Sequence, residues 1–184
     1  MKNSKLAVFF PGMGYTNDKP LLYYSRKMLD AQGFETKLLF FSGFPKKDKN
    51  NEKKMQKAFQ IALTQAEEQL ADMTWEQYEE VLFIGKSIGT AAAACIAAKL
   101  KQLVRQVIFT PLEMTFAYPI MDAIVFTGTA DPWVPKGRIP ELCAEINIPC
   151  HMVEQGNHSL ETGDWKTDLE MIRRVMTTVE AFLA

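Results

Sequence analysis

Six short apolar runs punctuate the chain: Leu6 to Phe10, Lys37 to Phe41, Val81 to Ile84, Gln106 to Thr110, Ala123 to Thr127 and Cys150 to Val153. The first three are nearly continuous in Leu, Val, Ile and Phe and do not alternate with polar residues. A strand reads this way when both of its faces are covered, which predicts parallel strands between helical layers.

Helical spacing fills most of the gaps. Leu21, Tyr24, Met28 and Leu29 form a stripe behind Pro20, with Asp18 as the predicted cap and Gly33 as the stop. Met55, Phe59, Ala62, Leu63, Ala66 and Leu70 give a second stripe, and Ala91 to Leu100 an alanine-rich helix. Trp165, Leu169, Ile172, Met176, Val179 and Leu183 give the last. All these stripes are expected in the core. With no repeat, low-complexity segment or linker, the alternation of strand and helix predicts one α/β domain over residues 1–184.

Composition narrows the function. The 184 residues are enough for one substantial core, and a net charge of −1 gives no reason to expect nucleic acid or anionic lipid as a partner. The lysines Lys46, Lys47, Lys49, Lys53 and Lys54 are diluted by Asp48 and Glu52 and read as a solvated loop. Pro11 and Gly12 end the first apolar run well short of a signal-peptide core or membrane span. Three cysteines, Cys95, Cys143 and Cys150, lack paired spacing and sit in apolar stretches, as reduced thiols of a cytoplasmic protein would. With only two histidines, no metal site is expected.

Candidate chemistry is concentrated in Gly85-Lys86-Ser87-Ile88-Gly89, between a buried strand and a helix. This is Gly-x-Ser-x-Gly in the context that lifts a serine clear of a sheet on a sharp turn, where only glycine neighbours leave room for the backbone. The Ile88 N–H, at the start of that helix, is placed to stabilise an oxyanion. A phosphate-binding P-loop would need a glycine where the chain has Glu80, and a strand occupies the place of its loop.

A serine nucleophile needs a base, and the base needs an acid to fix its tautomer. His151 lies within the last strand. His158 follows it in the loop Glu154 to Ser159, at the strand-end edge where open parallel sheets place their sites, and is the predicted base. Asp131, in the loop after the fifth run, is the predicted acid, which gives the chain order Ser, Asp, His; Glu113, after the fourth run, is the rival.

The loop Pro11-Gly12-Met13-Gly14-Tyr15 should face Ser87, with the Met13 N–H as second oxyanion donor. A dinucleotide fingerprint would need glycine where Asn17 stands. Tyr15, Glu113, Phe116 and Trp133 are candidates for the substrate pocket. The segment Pro111 to Met121 is too short for a cap domain, so a shallow cleft is expected.

On these motifs the chain resembles the α/β-hydrolase superfamily, in particular its small lidless members related to dienelactone hydrolases and short serine esterases. The resemblance covers nearly the whole chain. Gly85 to Gly89 corresponds to the nucleophile elbow, Gly128 to Pro132 to the acid loop, Gly156 to Ser159 to the histidine loop, and Pro11 to Gly14 to the oxyanion loop. Pro11 replaces the usual histidine of that loop, and Lys86 the histidine or aromatic that often precedes the serine, which implies a different pocket polarity. The resemblance implies a three-layer sandwich lacking the first two antiparallel strands, with sheet order 2-1-3-4-5-6 and right-handed crossovers. It also implies a serine hydrolase acting on an ester or thioester with no cofactor. A non-catalytic binding module of the same fold, or a lyase or transferase using the same three residues, is the alternative.

Overall fold

The computed structural model describes residues 4–46 and 48–184; Met1, Lys2, Asn3 and the loop residue Lys47 lie outside them. Among the described residues one all-parallel sheet is built from β1 (Lys5–Phe10), β2 (Phe34–Leu38), β3 (Glu80–Lys86), β4 (Arg105–Phe109), β5 (Asp122–Gly128) and β6 (Cys150–Val153), in the order β2-β1-β3-β4-β5-β6. The helices are α1 (Pro20–Ala31), α2 (Glu52–Leu70), α3 (Ile88–Ala97), α4 (Arg138–Glu145) and α5 (Trp165–Leu183). The predicted fold class, order and single α/β domain are those observed.

The layers follow from the two-residue period of a strand. β1 and β3 send Leu6, Val8, Phe10, Val81 and Phe83 to one face, where α2 and α3 cover them with Ala58, Phe59, Ala62, Ala91 and Ala92. Ala7, Phe9, Leu82 and Ile84 point the other way, under Leu21, Leu22 and Leu29 of α1 and Val175 and Val179 of α5. Farther along the sheet, α4 lays Ile139 and Cys143 against Ile108 and Val125. Small residues along α3 let that helix sit low on β3, directly after the turn that carries Ser87.

Four local expectations change. The second strand is Phe34–Leu38 and not Lys37 to Phe41. Gly33, at φ +81°, turns the chain out of α1 and straight into pairing with β1. The apolar run beyond Leu39 leaves the sheet and is held by α2: Gln69 bonds both N–H and C=O of Phe40, and Gln65 does the same for Ser42, all at 2.9–3.0 Å. Two glutamines thus supply the partners that a neighbouring strand would, and Phe40 stays 66% exposed.

The cap residue of α1 is Lys19, with no side-chain cap bond, and not Asp18. The N–H of Leu21 is satisfied from a distance by the Tyr15 hydroxyl at 3.1 Å. In α5 the buried residues are Ile172, Val175 and Val179, while Trp165 and Leu169 are exposed, as is Tyr24 of α1. The apolar stripes there are wider than the surface available to cover them.

Lys53 and Lys54 lie in the first turn of α2 and not in a loop, because Asn51 caps that helix by accepting from the Lys54 N–H at 3.0 Å. The loop before it is tied at two points, Lys49 Nζ donating to the Pro132 carbonyl at 2.6 Å and Lys54 pairing with Asp48 at 3.1 Å. At the opposite edge of the sheet, Arg105 pairs with Glu80 and Asp122 and bonds the Phe182 and Leu183 carbonyls, fixing the end of α5. Among the described residues no helix is long and apolar enough to cross a membrane.

The tightest backbone contact behind Ser87 is at Gly89. A Cβ there would lie 2.2 Å from the Phe10 oxygen and 2.4 Å from the Pro11 oxygen, both backbone atoms that no rotamer change can move. Gly89→Ala is therefore expected to cost about 3 kcal/mol or more. By thermal unfolding this is a fall in Tm of about 6 to 12 °C. An unchanged Tm would show that α3 shifts off β1 freely.

Candidate active site

Ser87 is the whole connection between β3 and α3, and one residue can make that reversal only in an unusual conformation. Its φ of 54° and ψ of −123° lie where L-residues are rarely found. The surroundings hold it there. Its N–H continues the sheet by donating to Phe109 O at 3.0 Å, and its carbonyl accepts from the Thr90 N–H at 2.9 Å and the Thr90 hydroxyl at 2.6 Å. Gly85 is needed on the near side, since a Cβ would sit 2.8 Å from Thr90 Cα.

The acid and histidine loops are locked by a second close approach. A Cβ on Gly128 would lie 2.0 Å from the Gly156 oxygen, and that oxygen accepts from Ala130 N at 3.0 Å. Asp131 is carried inward with its side chain fully buried. One carboxylate oxygen accepts from the Trp133 N–H at 2.8 Å, and the other lies 2.7 Å from His158 Nδ1. A carboxylate only accepts, so Nδ1 carries the proton and Nε2 presents a lone pair. His158 Nε2 lies 2.7 Å from Ser87 Oγ.

His158 is itself constrained on three sides. Thr110, at φ 41°, donates its hydroxyl to the His158 carbonyl at 3.0 Å. Asn157 Oδ1 closes the following turn by accepting from Ser159 N at 2.7 Å, and Leu160 is buried completely. The Trp133 ring lies beside the imidazole with centroids 5.4 Å apart.

The structure therefore brings Ser87, His158 and Asp131 into one hydrogen-bonded line at the C-terminal edge of the sheet. Ile88 opens α3, so its N–H has no acceptor within the helix. Met13 is at the tip of a turn closed by the Gly12 and Tyr15 N–H groups at 3.0 and 3.1 Å. That turn passes Ser87 closely: a Cβ on Gly12 would be 3.3 Å from the serine Cβ.

Other candidates are placed elsewhere. Tyr15 is buried with its hydroxyl engaged at Leu21, where it braces α1, and burial pushes its phenol far above the usual range. Glu113 pairs with Arg138 at 3.0 Å and does not contact His158, so the rival acid is out of position. Phe116 packs on the core beneath α4. His151 stacks on Phe126 at 5.3 Å, outside the site. Lys86 is 1% exposed, with its ammonium 4.9 Å over the Tyr15 ring. Thr90, Thr110 and Thr115, which organise the site, carry no motif that the sequence would reveal.

The sequence matches no model of a known protein family, and no curated protein is significantly similar to it. Solved structures are. The ydeN gene product of B. subtilis aligns over 97% of this chain and 100% of its own, at 17% identity and a TM-score of 0.62. An alpha-beta serine hydrolase homologue from Coxiella burnetii aligns over 95% and 84%, at 18% identity and 0.59. Est1E from Butyrivibrio proteoclasticus, solved with ferulic acid bound, aligns over 100% and 92%, at 11% identity and 0.64. At such identities the likeness establishes the fold, and that fold is the α/β-hydrolase fold.

The strain at Ser87 has a measurable sign. Exchanging alanine for glycine near a helix start ordinarily destabilises by about 0.5–1 kcal/mol, whereas relieving a left-handed conformation returns about 1–3 kcal/mol. Ser87→Gly is thus expected to be more stable than Ser87→Ala by about 1 kcal/mol in urea unfolding. The ordinary order, alanine above glycine, would mean that Ser87 carries no strain.

Proposed function

We propose that the protein is a serine hydrolase that cleaves an ester or thioester of a small or compact acyl group through an acyl-enzyme. The observation that carries this reading is the unbroken line from Ser87 Oγ through His158 to Asp131, with both hydrogen bonds at 2.7 Å. Ser87 Oγ attacks the acyl carbon while His158 Nε2 takes its proton, and the imidazolium is stabilised by the buried Asp131. The tetrahedral oxyanion is held by the Ile88 and Met13 N–H groups. Collapse expels the alcohol or thiol with the proton from His158. Water, deprotonated by the same nitrogen, then releases the acid and restores the serine.

The neighbours of like fold support hydrolysis, one being described as a serine hydrolase homologue and another having been solved with ferulic acid, a compact aromatic acid. The reading of acyl size rests on the connection 110–121. It folds as the 3-10 turn Glu113–Ala117, whose Thr115 and Phe116 face the interior, so it covers the sheet edge and makes no separate cap.

Two outcomes test this. On p-nitrophenyl acetate, Ser87→Ala should abolish turnover and Asp131→Asn should lower kcat by about 10⁴-fold, while Glu113→Gln leaves it within about twofold, an exposed pair of this kind being worth little. A crippling effect of Glu113→Gln with an active Asp131→Asn would reassign the acid. Across p-nitrophenyl esters, rates should fall beyond short acyl chains, with no jump at the solubility limit of the longer ones. A steady rise from acetate to palmitate would refute the shallow cleft.

A further inference from the structure

Behind the serine lies a polar chain in the core that neither the motif nor the three aligned residues account for. Thr90 in the first turn of α3 and Thr115 in the 3-10 turn Glu113–Ala117 are both completely buried, with their hydroxyl oxygens 2.7 Å apart. The direction of the chain can be worked out. The Ser87 carbonyl can only accept, so at 2.6 Å the Thr90 hydroxyl hydrogen must point to it. Thr90 Oγ1 then has only lone pairs to offer Thr115, so the Thr115 hydroxyl donates to Thr90. Donation runs from Thr115 to Thr90 to the Ser87 carbonyl.

That carbonyl belongs to the same peptide group as the Ile88 N–H. Resonance joins the two ends of a peptide, so withdrawing electron density at the oxygen makes the nitrogen a stronger donor. The Thr90 N–H adds a further bond at 2.9 Å on the same oxygen. Both threonine side chains are completely buried, so solvent screening of this polarisation is weak.

We propose that Thr115 and Thr90 form a buried hydroxyl relay that polarises the Ser87–Ile88 peptide and strengthens its N–H as an oxyanion donor. Thr115 is on this account a positioning residue, acting through Thr90 and the peptide without touching substrate. The inference rests on the serine-hydrolase reading, because it assigns the relay to a negative charge that develops only in the reaction.

A full oxyanion donor is worth about 10²–10³ in rate, and each cooperative bond strengthens its neighbour by about 10–30%. One link from the Ile88 N–H, the Thr90 hydroxyl bond is therefore worth about 2- to 8-fold in kcat, and the Thr115 bond, two links away, at most about twofold. Thr90→Val and Thr115→Val each keep shape and volume and delete the donor. The experiment measures kcat and KM on p-nitrophenyl acetate, together with Ki for a trifluoromethyl ketone, which forms a tetrahedral oxyanion on the serine. Expected are a fall in kcat of about 2- to 8-fold in Thr90→Val and a smaller one, up to about twofold, in Thr115→Val, each with an equal weakening of the ketone and an unchanged KM, and recovery in Thr90→Ser and Thr115→Ser, which restore the hydroxyl.

Three results would overturn the relay: wild-type kcat and Ki in Thr90→Val, loss of kcat with ketone affinity intact in either valine variant, or failure of the matching serine variant to recover it. Where a valine variant does not fold, serine against alanine at that position provides the same contrast between hydroxyl and none. Failure of the underlying reading looks different, since the wild-type protein would then neither hydrolyse the ester nor bind the ketone.

Discussion

The site depends on backbone passing closer to backbone than any side chain would allow. At Gly89 the elbow helix rests on the carbonyls of Phe10 and Pro11, and at Gly128 the acid loop rests on the carbonyl of Gly156. The first contact sets the depth of Ser87 above the sheet and its distance from the Gly12 to Tyr15 turn. The second sets the separation of Asp131 and His158. With the two loops and the elbow each pinned to a neighbouring strand end, the 2.7 Å spacings between the three side chains follow from the sheet itself.

Around these contacts the polar groups are satisfied in a definite order. Asp131 can be buried because each of its oxygens has a partner, one the Trp133 N–H and one the imidazole. The strained Ser87 is held from both ends, by Phe109 O at its N–H and by Thr90 at its carbonyl. Thr110 and Asn157 fix the histidine loop without touching the reactive atoms. Preorganisation of this kind lets a site stabilise charge without reorganising when it appears.

Much of this was legible in the residue order. The continuous apolar runs gave away two-sided strands, and Gly-x-Ser-x-Gly between a strand and a helix located the turn, because sterics permit few other sequences there. Asp131 and His158 could be chosen because each follows a strand, where open parallel sheets gather their loops. What was not legible depended on partners distant in sequence. The second strand runs Phe34–Leu38 and not Lys37 to Phe41, and beyond Leu39 it is Gln65 and Gln69 of α2 that replace a strand as neighbours. Nothing local shows that the Tyr15 hydroxyl serves the helix start at Leu21. Nor does the residue order show that Arg138 holds Glu113, or that the Thr90 and Thr115 hydroxyls meet in the core.

The central claim is that Ser87 Oγ, activated by His158 and Asp131, is the atom that takes the acyl group. Rapid acid quench of the protein with p-nitrophenyl acetate, followed by intact-mass and peptide mass spectrometry, tests it directly. The account predicts a gain of one acetyl group on the peptide containing Ser87 that forms before steady state and accumulates further in Asp131→Asn if deacylation is slowed more than acylation. Hydrolysis of the ester with no acetyl on Ser87, or with the acetyl on another residue, would contradict it.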